Sequence, residues 1–236
     1  MMPHYLVYTG AERASFSVNS RAQPGYKYQV TTDLPFKIHD DDLWMASLRG
    51  MEVLSTVDFV PTTIRRWGVG DATYCSPWEG AYLEGLAANC PDPTRVVEIG
   101  TGKGSSLVRI MYGLCLHQDV RVWTIDLLEQ KEAREALIAA QIPNWRYDFL
   151  VGDSAEIGGW DWEELDLVLV DGSHSYEGVK ADVEAWMPHL KESGVLVFHD
   201  YKNRQHRVTK AVDEAMVEPW AQVGLVGTMA AYTRQP

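Results

Sequence analysis

The sequence predicts an α/β protein built on a doubly wound, mostly parallel seven-stranded sheet, with a small β-rich N-terminal module. Three observations predict it. From about Ser76 onward, apolar β-branched runs alternate with helical stretches. The runs RVVEI, VRVWTI, YDFLV, LDLVLV and VLVF are nearly continuous in hydrophobicity, as in parallel strands covered on both faces. The first run passes directly into a glycine turn, VVEIGTGKGSS, that opens a helix.

The elements follow in order. YLVYTG, SFSV and YKYQV are short strand-like pieces separated by turn residues such as Asn19-Ser20 and Pro24-Gly25. Asp40-Asp41-Asp42 then precedes LWMASL, which reads as an acid-capped short helix. These pieces read as a small β-rich module over residues 1–61, or else as an N-terminal extension packing on the main domain, which takes 62–236. Ser76-Pro77-Trp78-Glu79 is a helix start, with Ser at the N-cap, Pro at the first position and Glu at the third. That helix runs to about Asn89 and stops before Pro91. Later helices are expected near Ser105–Leu116, Gln130–Gln141, Tyr176–Leu190 and Gln205–Val217. The tail AQVGLVGTMAAYTR reads as a hairpin around Gly227 that adds an antiparallel strand at one edge.

Composition excludes several function classes. Hydrophobic residues are 46% and charged residues 23% of the 236, which is ordinary for a soluble globular chain. Lys plus Arg is 21 against 33 for Asp plus Glu, a net charge of −12. That balance argues against a nucleic-acid partner and against anionic lipid. No apolar run is long enough to cross a bilayer, and the start has no basic-then-apolar leader pattern. The three cysteines, Cys75, Cys90 and Cys115, lack C-x-x-C spacing. A reducing, cytoplasmic setting is the expectation.

The glycine turn carries the sharpest chemistry. Gly100, Gly102 and Gly104 permit positive φ and a close approach of backbone to ligand. A nicotinamide fingerprint would be G-x-G-x-x-G; here Ser105 stands where the third glycine would fall. Glu98, two residues before the turn, would repel a pyrophosphate but suit an ammonium or a sulfonium. Asp126 ends the second strand, where an acid can accept both ribose hydroxyls. Asp153 follows the third strand, placed either to reach an adenine amino group, with Ser154 assisting, or to cap the next helix.

A second cluster is brought together by topology. Asp171 ends the fourth strand, with His174 three residues on, and His199-Asp200 ends the fifth. All four would face one cleft. Carboxylates suit a hard cation such as Mg²⁺, and imidazole leans a site toward Mn, Fe or Zn. Without metal, His174 or His199 is the natural general base. His174 could instead cap the helix that starts near Tyr176. Asp182 and Glu184 read as helix surface, Trp186 and Trp220 as core. Trp160 and Trp162 read as packing residues, with stacking on a flat ligand as the other choice. Tyr201-Lys202-Asn203-Arg204 is a polar loop able to touch substrate. Cys75 precedes a helix N-terminus, where a thiolate would be favoured.

From about Ser76 to Arg234 these residues resemble the class I S-adenosylmethionine-dependent methyltransferases, of Rossmann-like fold. VVEIGTGKG is similar to the family's first motif. The resemblance implies an S-adenosylmethionine contact set of Glu98, Gly100, Thr101, Gly102, Gly104, Ser105, Asp126, Leu127, Asp153, Ser154 and Asp171. DGSHSYEGVKAD with FHDY resembles a branch containing sugar O-methyltransferases and cephalosporin-hydroxylase-like proteins. In that branch an acid after strand four and an acidic pair after strand five bind Mg²⁺. Asp171 and Asp200 match, and His199 stands where the first acid of the pair would be, giving Asp171, His199 and Asp200 as the implied metal set for Mg or Mn.

The function implied is transfer of a methyl group to an oxygen, less readily a nitrogen, of a small molecule such as a sugar or natural-product hydroxyl. His174, Asp171 and His199 are the candidate catalytic residues. The alternative is a non-catalytic nucleoside-binding module that acts in assembly through its N-terminal β module. A homo-oligomer is compatible with either, and no nucleic-acid or membrane partner is expected.

Overall fold

The computed structural model describes residues 75–203 and 207–235. It also gives, as backbone, four earlier strands: β1 (Tyr5–Val7), β2 (Ala14–Asn19), β3 (Lys27–Thr32) and β4 (Lys37–His39). The acid-capped helix expected after Asp42, the boundary at residue 61 and Arg204 lie outside the described residues. The main domain begins with α1 (Pro77–Ala88). Then come β5 (Thr94–Ile99), α2 (Ser105–Gly113), β6 (Val120–Asp126), α3 (Lys131–Ala139), β7 (Tyr147–Val151) and α4 (Ser154–Gly158). The chain continues through β8 (Leu165–Val170), α5 (Tyr176–Trp186), β9 (Leu190–Phe198), α6 (Val208–Ala215), β10 (Trp220–Val226) and β11 (Met229–Arg234). The short helix α4 has no counterpart among the expected elements. The other helices fall one to four residues short at one or both ends, and single 3₁₀ turns take over after two of them, at 114–116 and 187–189.

Helix α1 starts where its sequence says. Ser76 Oγ accepts from the Glu79 backbone N–H at 3.3 Å, and Glu79 Oε2 accepts from the Ser76 N–H at 2.9 Å.

The sheet order is β2-β3-β10-β11-β9-β8-β5-β6-β7. Seven of these strands, β7 to β10 in that series, are the expected sheet, with β5 to β9 parallel and β11 antiparallel to both of its neighbours, β9 and β10. The hairpin does not close an edge: β3 pairs with β10 through Gly224↔Thr32, Leu225↔Thr31 and Val226↔Val30, and β2 continues beyond it. β1 and β4 form a separate two-stranded ladder.

Period-two alternation divides the sheet's side chains between two cores. On one face Val96, Val122 and Leu167 meet Leu83 and Leu86 of α1 and Leu107 and Ile110 of α2. On the other, Val97, Ile125, Val168 and Leu196 meet Val179, Val183 and Trp186 of α5 and Val208 and Val212 of α6. Trp186 is fully buried, and truncating such a residue to Ala costs ~3–5 kcal/mol. Trp220 is buried too, as expected. Strand order reverses between β5 and β8, so the carboxyl ends of β5, β6, β8 and β9 surround one crevice. Among the described residues no helix is long and apolar enough to cross a membrane.

Candidate active site

A cavity of about 820 Å³ opens at that crevice. One wall is the glycine turn. Gly100, Gly102 and Gly104 have φ of +91°, +48° and +82°. A Cβ on Gly100 would collide with the Asp171 backbone, and one on Gly104 with Ala133 of α3. A Cβ on Gly102 would meet nothing within 4 Å, so this residue leaves the cavity its room. The Gly102 N–H donates to Asp126 Oδ2 at 3.1 Å, and the Leu128 N–H donates to Oδ1 at 3.3 Å. Two backbone bonds thus hold the Asp126 carboxylate at the wall.

Most of the expected cofactor residues line this cavity: Gly100, Thr101, Gly102, Ser105, Asp126 and Leu127 on one side, Asp153, Ser154 and Asp171 on the other. Gly104 does not; it serves packing against α3. Glu98 does not either. Its side chain is fully buried, with Oε1 accepting from Ser106 Oγ and Oε2 from Thr124 Oγ1, both at 2.6 Å. Burial pushes its carboxyl up to about 8, against those two hydroxyls. Glu98 therefore presents no bare carboxylate to a ligand. It fixes the turn from behind, through Ser106 and through Thr124, whose hydroxyl is 2.6 Å from that of Thr101.

Asp153 is a helix cap that also lies on the cavity wall. At the start of α4 it accepts from the N–H groups of Ala155 and Glu156 at 2.9 and 3.3 Å. Ser154 is committed elsewhere: its hydroxyl bonds Oδ1 of Asp182. Asp182 is not helix surface. It is 3% exposed, faces the cavity, and has its carboxyl pushed up to about 6 by burial, opposed by Ser154. The signal was available, because Val179, Asp182, Val183 and Trp186 fall on one stripe of α5. Glu184 is exposed.

Asp171, His174, His199 and Asp200 do converge on the cavity. His199 Nδ1 is 3.0 Å from Asp171 Oδ1, and His199 Nε2 lies 3.7 Å from Glu79 Oε2. Burial pulls the imidazole down, but the two carboxylates outweigh it and hold His199 up at about 11. With both nitrogens facing carboxylates, His199 has none to offer as base or metal ligand. The ligand atoms that approach one another are those of Asp171, His174 and Asp200, all within 4.8 Å. His174 Nε2 is 3.1 Å from Asp200 Oδ2. The geometry thus exchanges His199 for His174 in the cation-competent set. His174 is not the helix cap, since Ser175 Oγ accepts from the Gly178 N–H at 3.0 Å.

The remaining candidates separate cleanly. Trp160 and Trp162 stack on each other, 6.4 Å apart, and neither lines the cavity. Tyr201 is buried, its hydroxyl donating to Asp213 at 2.8 Å, while Asn203 of the same loop reaches the cavity and donates to Asp200 Oδ1. Cys75 lines the cavity, but burial, with Glu79 and Asp171 adding, pushes its thiol well up, so no thiolate is favoured.

A glycine turn after the switch-point strand, an acid ending the next strand and a seven-stranded core that includes the β10–β11 hairpin make up a Rossmann-like fold of the methyltransferase type. Residues 97–201 match the family described as a methyltransferase domain. A Corynebacterium glutamicum protein of solved structure shares the fold at a TM-score of 0.56 and 23% identity, over 66% of this chain and 80% of its own. The O-methyltransferase TomG of Streptomyces achromogenes, involved in tomaymycin synthesis and solved with S-adenosylmethionine, matches at 0.53 and 18% identity, over 66% and 79%. An uncharacterized protein of Sinorhizobium fredii is 50% identical over 42 residues, 18% of this chain. That match spans 5% of the length of the Sinorhizobium protein.

Proposed function

We propose that the protein transfers a methyl group from S-adenosylmethionine to a hydroxyl oxygen of a small molecule, with a nitrogen acceptor second. One observation carries this reading: a single cavity joins a nucleoside-type wall (Gly102, Asp126, Asp153) to the acid and histidine cluster (Asp171, His174, Asp200). The fit of the cofactor is supported by Gly102, whose missing side chain leaves the turn open, and by Asp126, held on two backbone bonds where ribose hydroxyls would donate. S-adenosylmethionine supplies an activated methyl group on a sulfonium. The chain's own work is to exclude water, align the acceptor and take its proton. His174 is suited to take it, because it lines the cavity and is steadied by Asp200. Alternatively, Asp171, His174 and Asp200 form a set that would hold a divalent cation in place of the base role of His174, and an imidazole among the ligands favours Mn²⁺ over Mg²⁺. Such an ion would polarise the acceptor hydroxyl.

The test is product formation with a labelled methyl donor and a panel of hydroxylated sugars and natural products, with and without Mn²⁺ or Mg²⁺. Labelled product supports the reading. Tight binding of S-adenosylhomocysteine with no product from any acceptor supports the binding-module alternative instead.

A further inference from the structure

Glu79 does more than close the cap of α1. Its Oε1 accepts from the backbone N–H and the hydroxyl of Thr228, at 2.7 and 2.9 Å, in the β10–β11 turn. Its Oε2 faces His199 Nε2, and His199 Nδ1 bonds Oδ1 of Asp171 at the cavity. Glu79 is 5% exposed and His199 is buried with it. We infer that Glu79 is a positioning residue, which through His199 fixes the Asp171 carboxylate with one oxygen bound and turns the other to the cavity. The inference rests on the proposed methyl transfer for its consequence, since Asp171 stands at the reacting end of the site.

A carboxylate on a single Cβ can swing about its last torsion, and small misplacements of reacting groups are costly. Here the swing is opposed by an imidazole whose second nitrogen is paired electrostatically with Glu79 Oε2 at 3.7 Å. Glu79 in turn is anchored from both sides, by the start of α1 and by the hairpin turn. Without the Glu79 carboxylate, the His199 Nε2–H would lose the acceptor it faces among the described residues, an arrangement that favours turning the ring. Asp171 would then lose the partner that sets its direction. The device also explains a departure in the sequence, a histidine in FHDY where the related branch carries an acid: the ring, itself part of the cavity wall, supports Asp171 from the side.

The experiment compares Glu79→Gln with Ser76→Ala. The glutamine keeps the volume and an acceptor for Thr228 but removes the charge facing His199. The alanine removes the hydroxyl of the helix cap and leaves His199 untouched. Glu79→Gln is expected to lower kcat about 10- to 100-fold with the KM for the methyl donor within about twofold. Ser76→Ala is expected to lower the melting temperature and keep kcat. Glu79→Asp, which restores the charge one methylene short, should recover part of the loss. Nitrogen-15 spectra of the ring give a readout that needs no turnover: both His199 ring protons are expected in slow exchange in the wild type, and the Nε2–H signal lost in Glu79→Gln. The inference is overturned if Glu79→Gln loses no more turnover than Ser76→Ala, or if its ring signals match the wild type. A wild-type chain that methylates no acceptor would defeat the proposed function, and the ring signals would then decide the Glu79 tie by themselves.

Discussion

His174 Nε2 lies 3.1 Å from Asp200 Oδ2, a contact that joins the loop after β8 to the end of β9. It steadies one edge of an imidazole whose side chain is still 42% exposed at the cavity mouth. Asp200 is itself held in the left-handed region, at φ +57°, by the loop that continues to Asn203. A ring that is both accessible and braced is what proton abstraction from an entering hydroxyl requires.

His174→Ala should therefore lower turnover by about 10²–10⁴-fold while leaving the affinity for S-adenosylhomocysteine nearly unchanged. Because the side chain is half exposed, the melting temperature should move little. Steady-state kinetics with the best acceptor and calorimetry on the same variant check both halves. Wild-type turnover in the variant would remove His174 from the reaction. If the residue works as a metal ligand, the variant should also lose any activation by added Mn²⁺.

Gly102→Val and Gly100→Ala should fail differently. At Gly102 the new side chain enters open cavity, so the fold bears only the strain of a left-handed residue, ~1–3 kcal/mol, while the ligand loses its room. Calorimetry should show binding of S-adenosylhomocysteine abolished in a protein with native circular dichroism. At Gly100 the added methyl meets the Asp171 backbone, so stability itself should drop sharply. Retained affinity in folded Gly102→Val would contradict the placement of the cofactor.

Asp182 makes stability depend on pH with a definite sign. Its folded-state value, about 6, is above the ordinary 3.8 because burial penalises the charged form. Its contribution is therefore intact below about pH 4 and is lost as pH rises through 6, by at most ~3 kcal/mol. Asp182→Asn keeps an acceptor for Ser154 and carries no charge. Urea midpoints from pH 4 to 8 should show a smaller decline in the variant. Glu98, raised to about 8, adds a second decline of the same sign at higher pH. Parallel curves for wild type and Asp182→Asn would refute the assignment.

A chain beginning at Thr62 should fold and bind S-adenosylhomocysteine, because it keeps every described residue of the two cores and of the cavity wall. It would also lose the β3 partner of β10 and expose that strand's edge, which invites pairing between molecules. Size-exclusion chromatography should show concentration-dependent self-association absent from the full chain. A molten or insoluble product would mean that the first 61 residues belong to the main core.

The sequence by itself determined what depends on neighbouring residues. Continuous apolar runs specify strands buried on both faces, Ser76-Pro77-Trp78-Glu79 specifies a capped helix start, and glycines at 100, 102 and 104 specify a turn with positive φ. Topology rules then carry Asp126, Asp171 and Asp200 to one edge, because parallel strands all end on the same side. Only the tertiary structure decided how side chains divide their partners. Glu98 stands on the strand before the turn, yet its carboxyl is consumed by Ser106 and Thr124 and faces no ligand. Asp182 is drawn inward because α4, too short to announce itself, sets Ser154 against it. His199 and His174 are equivalent on paper, both imidazoles beside an aspartate at a strand end. What separates them is Glu79, brought from 120 residues away to face the second nitrogen of His199, while His174 keeps its ring at the cavity mouth. Local pattern fixes backbone conformation and direction, whereas which of two like groups is charged, bound or available is set by desolvation and by partners that only folding brings within reach.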